Sequence, residues 1–328
     1  MAARHSCDLC DGTDFAPIGQ KDRRGRPLLT EVCKTCGLVS HALLPTEQEL
    51  VAYYAGEYRR DYHGEYAPSA HRVVREWNRG RGLVQKLHEE LRQNDSILEI
   101  GSGIGCTVIN FALAGYSACG LEPHEGFRRY GSEKLHADVR PGVLDDLIAD
   151  AQYDFILLVH ALEHFAHPTK ALTKIHALLR PGGRLYVEVP NFAAPHAAPG
   201  KQFHFAHIYN FTPATLRMLG AKTGFRVQRA YTAPFDKNIG LLLSRAAPSR
   251  LVVEGLSYAQ TMAALKRYST LSYHLRPMYL LDRLVNAARQ FVQRCSCERQ
   301  LTAILAQCDE FAARAQQDRP ITPVRRAA

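Results

Sequence analysis

An α/β fold, built on a mainly parallel sheet with helices on both faces, is what the sequence predicts, and three observations predict it. From Ser96 onward, short apolar strands alternate with helical stretches. A glycine-rich turn, Gly101-Ser102-Gly103-Ile104-Gly105, follows the first of those strands. Ahead of both stands a short, turn-rich segment carrying two Cys-x-x-Cys pairs. Strands that alternate with helices pair in parallel, because each helix carries the chain back across a face of the sheet. The boundaries read as a metal-binding ribbon over 1–45, a helical cap over 46–92, the α/β domain over 93–245 and a helical region over 246–328.

The composition agrees. Hydrophobic residues are 46% and charged residues 22% of the 328, which excludes a disordered or collagen-like chain. The net charge of +9 points either to an anionic ligand or to a solvated basic surface. Residues Met1 to Cys7 hold no apolar stretch of signal-peptide length. The longest uncharged run, 101–121, contains five glycines and breaks into turn, helix and strand, so no membrane span is predicted. A cytoplasmic location follows. In a reducing compartment paired cysteines serve metal rather than disulfides.

Each element follows from its residues. Cys7-Asp8-Leu9-Cys10 and Cys33-Lys34-Thr35-Cys36 are separated by 22 residues, and each ends beside a glycine-bearing turn. A two-residue gap lets both thiolates of a pair reach one ion, so the four cysteines are predicted to hold a structural Zn2+ in a closed tetrahedral site. So short a segment cannot build a sufficient core alone, and metal supplies the missing stability. Thr46, with Glu47 and Glu49 after it, is a helix N-cap followed by acid in the first turn. Tyr53, Tyr54, Tyr58, Tyr62 and Tyr66 are expected to pack against the next domain. A helix from about Ala70 to Leu91 follows, with Val73, Val74, Trp77, Val84, Leu87 and Leu91 near one face.

Five strands are then predicted at 97–100, 116–121, near 136–139, 153–159 and 184–189, with a helix over 168–179. An antiparallel pair follows at 225–231 and 238–244. Residues 251–317 read as helices with an apolar stripe at Leu280, Leu281, Leu284, Val285, Ala288, Phe291 and Val292. The end, Arg319 to Ala328, is basic.

The turn after the first strand sits where an open parallel sheet binds ligands. Glycine there lets the backbone approach a ligand at a helix N-terminus. Cys106 stands where a dinucleotide fingerprint needs glycine, and no Gly-Lys-Ser/Thr follows, so neither NAD nor a P-loop nucleotide is supported. Glu122 ends the second strand, and Asp138 lies at the third.

The runs Leu98 to Gly105, Gly120-Leu121-Glu122-Pro123, Tyr153 to Ile156, Ala161-Leu162-Glu163-His164, Leu178 to Leu185, Val189-Pro190-Asn191 and Gly224 to Val227 resemble class I S-adenosylmethionine-dependent methyltransferases. The resemblance covers about residues 70–245 and implies a Rossmann-like sheet. It also implies that Glu99, Gly101, Ser102, Gly103 and Gly105 form the cofactor loop. Glu122, with Pro123 beside it, would hold the ribose. Asp138 would lie near the adenine, and His160 would face the methyl donor. The four-cysteine segment narrows the likeness to bacterial methyltransferases of sugars or nucleotide-linked sugars, and the tract His204 to Thr212 is similar to a His- and Tyr-bearing loop in those relatives. The C-methyltransferases among them continue into a large third domain, whereas residues 246–328 read as helices.

The acceptor that the resemblance implies is small, sugar-linked and anionic, methylated on a hydroxyl or a carbon; another small natural product is the alternative. Deprotonating it calls for a base, for which Glu163, His164, His204, His207 and Tyr209 are the candidates. His204, His207 and Tyr209 are preferred, because loops above a sheet's carboxyl edge carry function. His160-Ala161-Leu162-Glu163 replaces the Asn/Asp-Pro-Pro-Tyr/Phe of nucleobase N-methyltransferases, and the basic run Lys21 to Arg26 is short, so nucleic acid is not the expected partner. A rival reading is a non-catalytic zinc and partner-binding module, against which the glycine loop and Glu122 argue.

Overall fold

The computed structural model describes residues 2–3, 6–53, 67–150, 152–195, 197–233 and 236–317. Tyr54, Tyr58, Tyr62, Tyr66 and the tail from Arg319 to Ala328 lie outside them. In chain order, the N-terminal part runs β1 (Ala2–Ala3), β2 (Phe15–Lys21), β3 (Pro27–Cys33), β4 (Val39–His41), β5 (Leu43–Leu44) and α1 (Glu47–Ala52). Thr46 and Glu49 close a capping box at the start of α1, each side chain accepting the other's backbone N–H, which satisfies two otherwise orphaned donors.

Next come α2 (Ala70–Leu87), β6 (Ser96–Ile100), α3 (Cys106–Leu113), β7 (Ser117–Leu121), α4 (Glu125–Lys134), β8 (Val139–Arg140) and β9 (Tyr153–Val159). They lead to α5 (Pro168–Leu178), β10 (Leu179–Pro190), β11 (Tyr209–Asn210), α6 (Pro213–Lys222), β12 (Phe225–Ala230) and β13 (Asn238–Arg245). Three helices close the chain: α7 (Ser257–Lys266), α8 (Thr270–His274) and α9 (Pro277–Gln317). Seven strands form one sheet in the order β12-β13-β10-β9-β6-β7-β8. β6 to β10 are parallel, and β13 is antiparallel to both β10 and β12. The chain steps outward from β6 to β7 and β8, then returns to the other side of β6 at β9. That reversal opens a crevice at the carboxyl ends of β6 and β9.

Gly80 answers how a helix with an interior glycine packs so well. A Cβ there would stand 2.8 Å from the Cys106 carbonyl oxygen, so only glycine lets α2 close onto the start of α3. Val73, Val74 and Trp77 of α2, Val108 and Ile109 of α3 and Ile304 and Cys308 of α9 share one core. Of the C-terminal stripe, Leu281 and Val285 are exposed, and Leu280, Leu284, Ala288, Phe291 and Val292 lie outside the described side chains; further along α9, Ile304 and Cys308 are buried. Among the described residues no helix is long and apolar enough to cross a membrane.

The cysteine segment is not a separate appendage. Its sheet runs β11-β4-β3-β2, so the fourth strand comes from the tract that follows β10. Tyr209 pairs with Ser40 and Asn210 with Val39. Both knuckles dock on helices of the larger domain. Thr169 donates its N–H and its hydroxyl to Asp8, Lys222 donates to the Asp8 and Leu9 carbonyls, and Ser257 and Thr261 donate to the Cys36 and Gly37 carbonyls.

Candidate active site

A cavity of about 360 Å³ occupies the crevice. One wall is the loop after β6. Gly101, Gly103 and Gly105 all take positive φ, between 57° and 74°, in the region that favours glycine. Gly105 is further constrained because a Cβ would stand 2.5 Å from Val139 Cγ2. The N–H groups of Gly101 and Ser102 both donate to the Leu121 carbonyl, at 3.0 and 2.9 Å, which locks the loop to the end of β7. Glu122, 4% exposed, is held ready at that end. Its Oε2 accepts the Gly103 N–H at 2.8 Å and its Oε1 the His124 N–H at 3.0 Å.

Glu99, on β6, faces the same cavity. Its Oε2 is buried with no hydrogen-bond partner among the described residues, and burial pushes its carboxyl up to about 8. Arg72, Glu76 and Arg79, one face of α2, complete this side. Their spacing of four and three residues marks one polar face of a helix whose opposite face carries the stronger apolar signal.

The other wall follows β9. His160 has φ of +51°, strained for a residue with a Cβ, and its ring sits between two carboxylates. Nδ1 is 3.5 Å from Glu163 Oε1, and Nε2 is 3.5 Å from Glu188 Oε1. Burial opposes charge on that ring, but the two carboxylates outweigh it and raise its pKa. Glu188 also accepts from the Tyr186 hydroxyl at 2.6 Å and from Lys86 at 3.3 Å. Glu163 is 1% exposed. Burial pushes its carboxyl up, yet His160, His164 and His207 around it bring it down to about 2. Burial and the neighbouring His164 keep the His207 pKa well below its ordinary value.

The predicted residues separate in space. Gly101, Ser102, Gly103, Glu99, Glu122, Pro123, His160, Glu163, His164 and His207 line one cavity. Asp138 does not line it: its exposed side chain pairs with Arg140 at 2.6 Å. Tyr209 and His204 turn inward. The Tyr209 hydroxyl donates to the Ala166 carbonyl at 3.1 Å, and His204 Nδ1 accepts the Ala206 N–H at 2.9 Å. Both are buried and stitch the tract to its surroundings, so of the preferred trio only His207 reaches the cavity. The grouping of Glu163 and His164 with His207 spans more than forty residues and depends on the β4–β11 pairing, which no local pattern announces.

The four cysteines also converge. Cys7 and Cys36 sulfurs are 3.6 Å apart, and those of Cys10 and Cys33 3.5 Å; all four lie within 4.8 Å of one another. Thiolates ~2.3 Å from one tetrahedral zinc stand about 3.8 Å apart, so the donor set fits such an ion. Cys7, Cys33 and Cys36 are buried, as a site closed to water requires.

Residues 70–230 match a family model described as a methyltransferase domain. An uncharacterized methyltransferase of Mycobacterium avium is 25% identical over 224 residues, covering 66% of this chain and 80% of that protein. Uncharacterized protein Rv1509 of Mycobacterium tuberculosis is 28% identical over 110 residues, covering 31% of this chain. The present chain spans 38% of that relative's length. Among solved structures, Burkholderia thailandensis 1,6-didemethyltoxoflavin-N1-methyltransferase is similar with a TM-score of 0.49 and 21% identity, over 64% of this chain and 96% of that one. Magnesium protoporphyrin IX methyltransferase from Synechocystis has a TM-score of 0.47 and 17% identity, over 61% and 100%. Residues 70–230 of this chain are thus similar in sequence to a methyltransferase domain.

Proposed function

We propose that the protein transfers a methyl group from S-adenosylmethionine to an oxygen of a small, sugar-linked, anionic acceptor, with a structural zinc at Cys7, Cys10, Cys33 and Cys36. The observation that carries this reading is a single cavity with two unlike walls. One wall holds the glycine loop, Glu99 and Glu122; the other holds His160, Glu163, His164 and His207.

The first wall fits the methyl donor. S-adenosylmethionine, when bound, supplies a methyl group already activated on a sulfonium. The partnerless, buried Glu99 oxygen suits a cationic ligand, since such an atom is costly without a partner. Glu122 offers two carboxylate oxygens to ribose hydroxyls, and the bonds from Gly103 and His124 hold it in place. Little covalent help is then required. The protein aligns the acceptor with the methyl group and excludes water. An oxygen acceptor must also lose its proton, which falls to the histidine and carboxylate wall rather than to Tyr209 or His204. Arg72, Arg79 and Lys170 line the cavity and, although Arg79 pairs with Glu76 and Glu188 and Lys170 with Asp145, they bring positive charge to the side an anionic acceptor would enter.

The test is transfer of labelled methyl from S-adenosylmethionine to a panel of acceptors. Nucleotide-sugars and phosphorylated glycans are expected to be labelled on oxygen, with inorganic phosphate competing. Labelling confined to neutral or amine acceptors would overturn the assignment of acceptor class.

A further inference from the structure

We propose that Glu163, His164 and His207 form a divalent-cation site in the wall of the cavity, open toward the acceptor. One ligand atom from each residue lies within 4.8 Å of the other two. Glu163 is 1% exposed, and neither of its carboxylate oxygens has a hydrogen-bond partner among the described residues. The nearest charged groups, His160 Nδ1 at 3.5 Å and His164 Nε2 at 3.8 Å, both approach Oε1. A buried carboxylate left this way is paired, or it coordinates a metal.

His164 supplies the second argument. Its Nδ1 donates to the Ala206 carbonyl at 2.7 Å. That bond fixes the tautomer and turns the Nε2 lone pair toward Glu163, the arrangement that orients metal-binding histidines. His207 packs edge-on to the His164 ring at a centroid distance of 5.0 Å. All three residues line the cavity, so positions on the ion stay open to water or to an acceptor oxygen. Two imidazole nitrogens and one carboxylate suit Mn2+, Fe2+, Co2+ or Zn2+.

The fold assembles these ligands from two directions. Glu163 and His164 sit on the short turn after β9. His207 precedes β11, whose pairing to β4 ties it to the cysteine segment. The cysteine site therefore places a ligand of this second site.

The role of the ion rests on the methyl-transfer reading. An acceptor hydroxyl bound to the cation would give its proton to His160, the histidine of the same wall that is not a ligand. Its oxygen lone pair then forms the O–CH3 bond, and the pair of the breaking S–CH3 bond goes to sulfur, leaving a neutral thioether.

Mn2+ is the probe, because a four-thiolate site disfavours it. The full chain is titrated with Mn2+, free ion being read by electron paramagnetic resonance, and S-adenosylhomocysteine binding is measured in parallel. Wild type is expected to bind about one Mn2+, and Glu163→Gln and His207→Gln to bind it about tenfold more weakly or worse, with S-adenosylhomocysteine affinity unchanged. Tyr209→Phe, outside the cavity, should bind Mn2+ as wild type does. Wild type that binds S-adenosylhomocysteine but no Mn2+ would overturn the metal site and leave the methyltransferase reading standing. Equal Mn2+ binding by wild type and both variants would overturn the location. Mn2+ binding lost in the variants, with no binding of S-adenosylhomocysteine by wild type, would support the metal site and sink the methyl-transfer reading.

Discussion

With the proposed zinc at its four cysteines removed, the protein is expected to lose far more than a terminal ribbon. In small zinc-held domains the ion contributes on the order of 10 kcal/mol of folding free energy, comparable to the whole stability of a typical domain. Here the knuckles hold a chain of contacts. Asp8 anchors the start of α5 through Thr169, Cys36 and Gly37 receive α7 through Ser257 and Thr261, and β4 holds β11. Cys33→Ser should therefore lower the melting temperature steeply and expose residues 6–53 to proteolysis. Purified wild type should carry about one thiolate-bound zinc per chain, retained in Glu163→Gln. A zinc-free protein with an unchanged melting curve would contradict the structural role.

The second large effect is on turnover. His207→Ala is expected to reduce methyl transfer by about 10²–10⁴, the range for loss of help in removing the acceptor's proton, while cofactor affinity is kept. Tyr209→Phe and His204→Ala should behave differently. Tyr209 loses one buried hydrogen bond to Ala166, a loss of about 1 kcal/mol in stability, with turnover nearly retained. A melting curve and a transfer assay on the three variants separate the roles. If His207→Ala kept near-normal turnover and Tyr209→Phe lost it, the placement of the acceptor wall would be wrong.

The sheet was readable because its signals are local. Ile97 to Ile100 and Phe155 to Val159 are short buried runs, and Gly101, Gly103 and Gly105 mark the turn that strand–helix order places at the crevice. The cysteine spacing likewise foretold a convergence of four sulfurs. What local reading missed is set by distant pairing. His204 and Tyr209 looked like pocket residues because they share a loop with His207, yet the antiparallel pairing of β11 with β4 turns them into the protein. Asp138 is expected at the third strand and near the adenine, but β8 is only Val139–Arg140, Asp138 stands just before it, and Arg140 pairs with its carboxylate. Glu188 and Lys86 are unremarkable in the sequence; β10 brings Glu188 to His160, and α2 brings Lys86 to Glu188.

On this reading the β6–β9 crevice is a cofactor cradle organised by Glu122. Isothermal titration of S-adenosylhomocysteine into wild type and Glu122→Ala tests it most directly. Loss of two charge-assisted hydrogen bonds weakens binding by about 1.5–3 kcal/mol. One-to-one binding by wild type and affinity at least about tenfold lower in a folded Glu122→Ala variant is the predicted result. No binding by wild type, or equal affinity in the two proteins, would contradict the account.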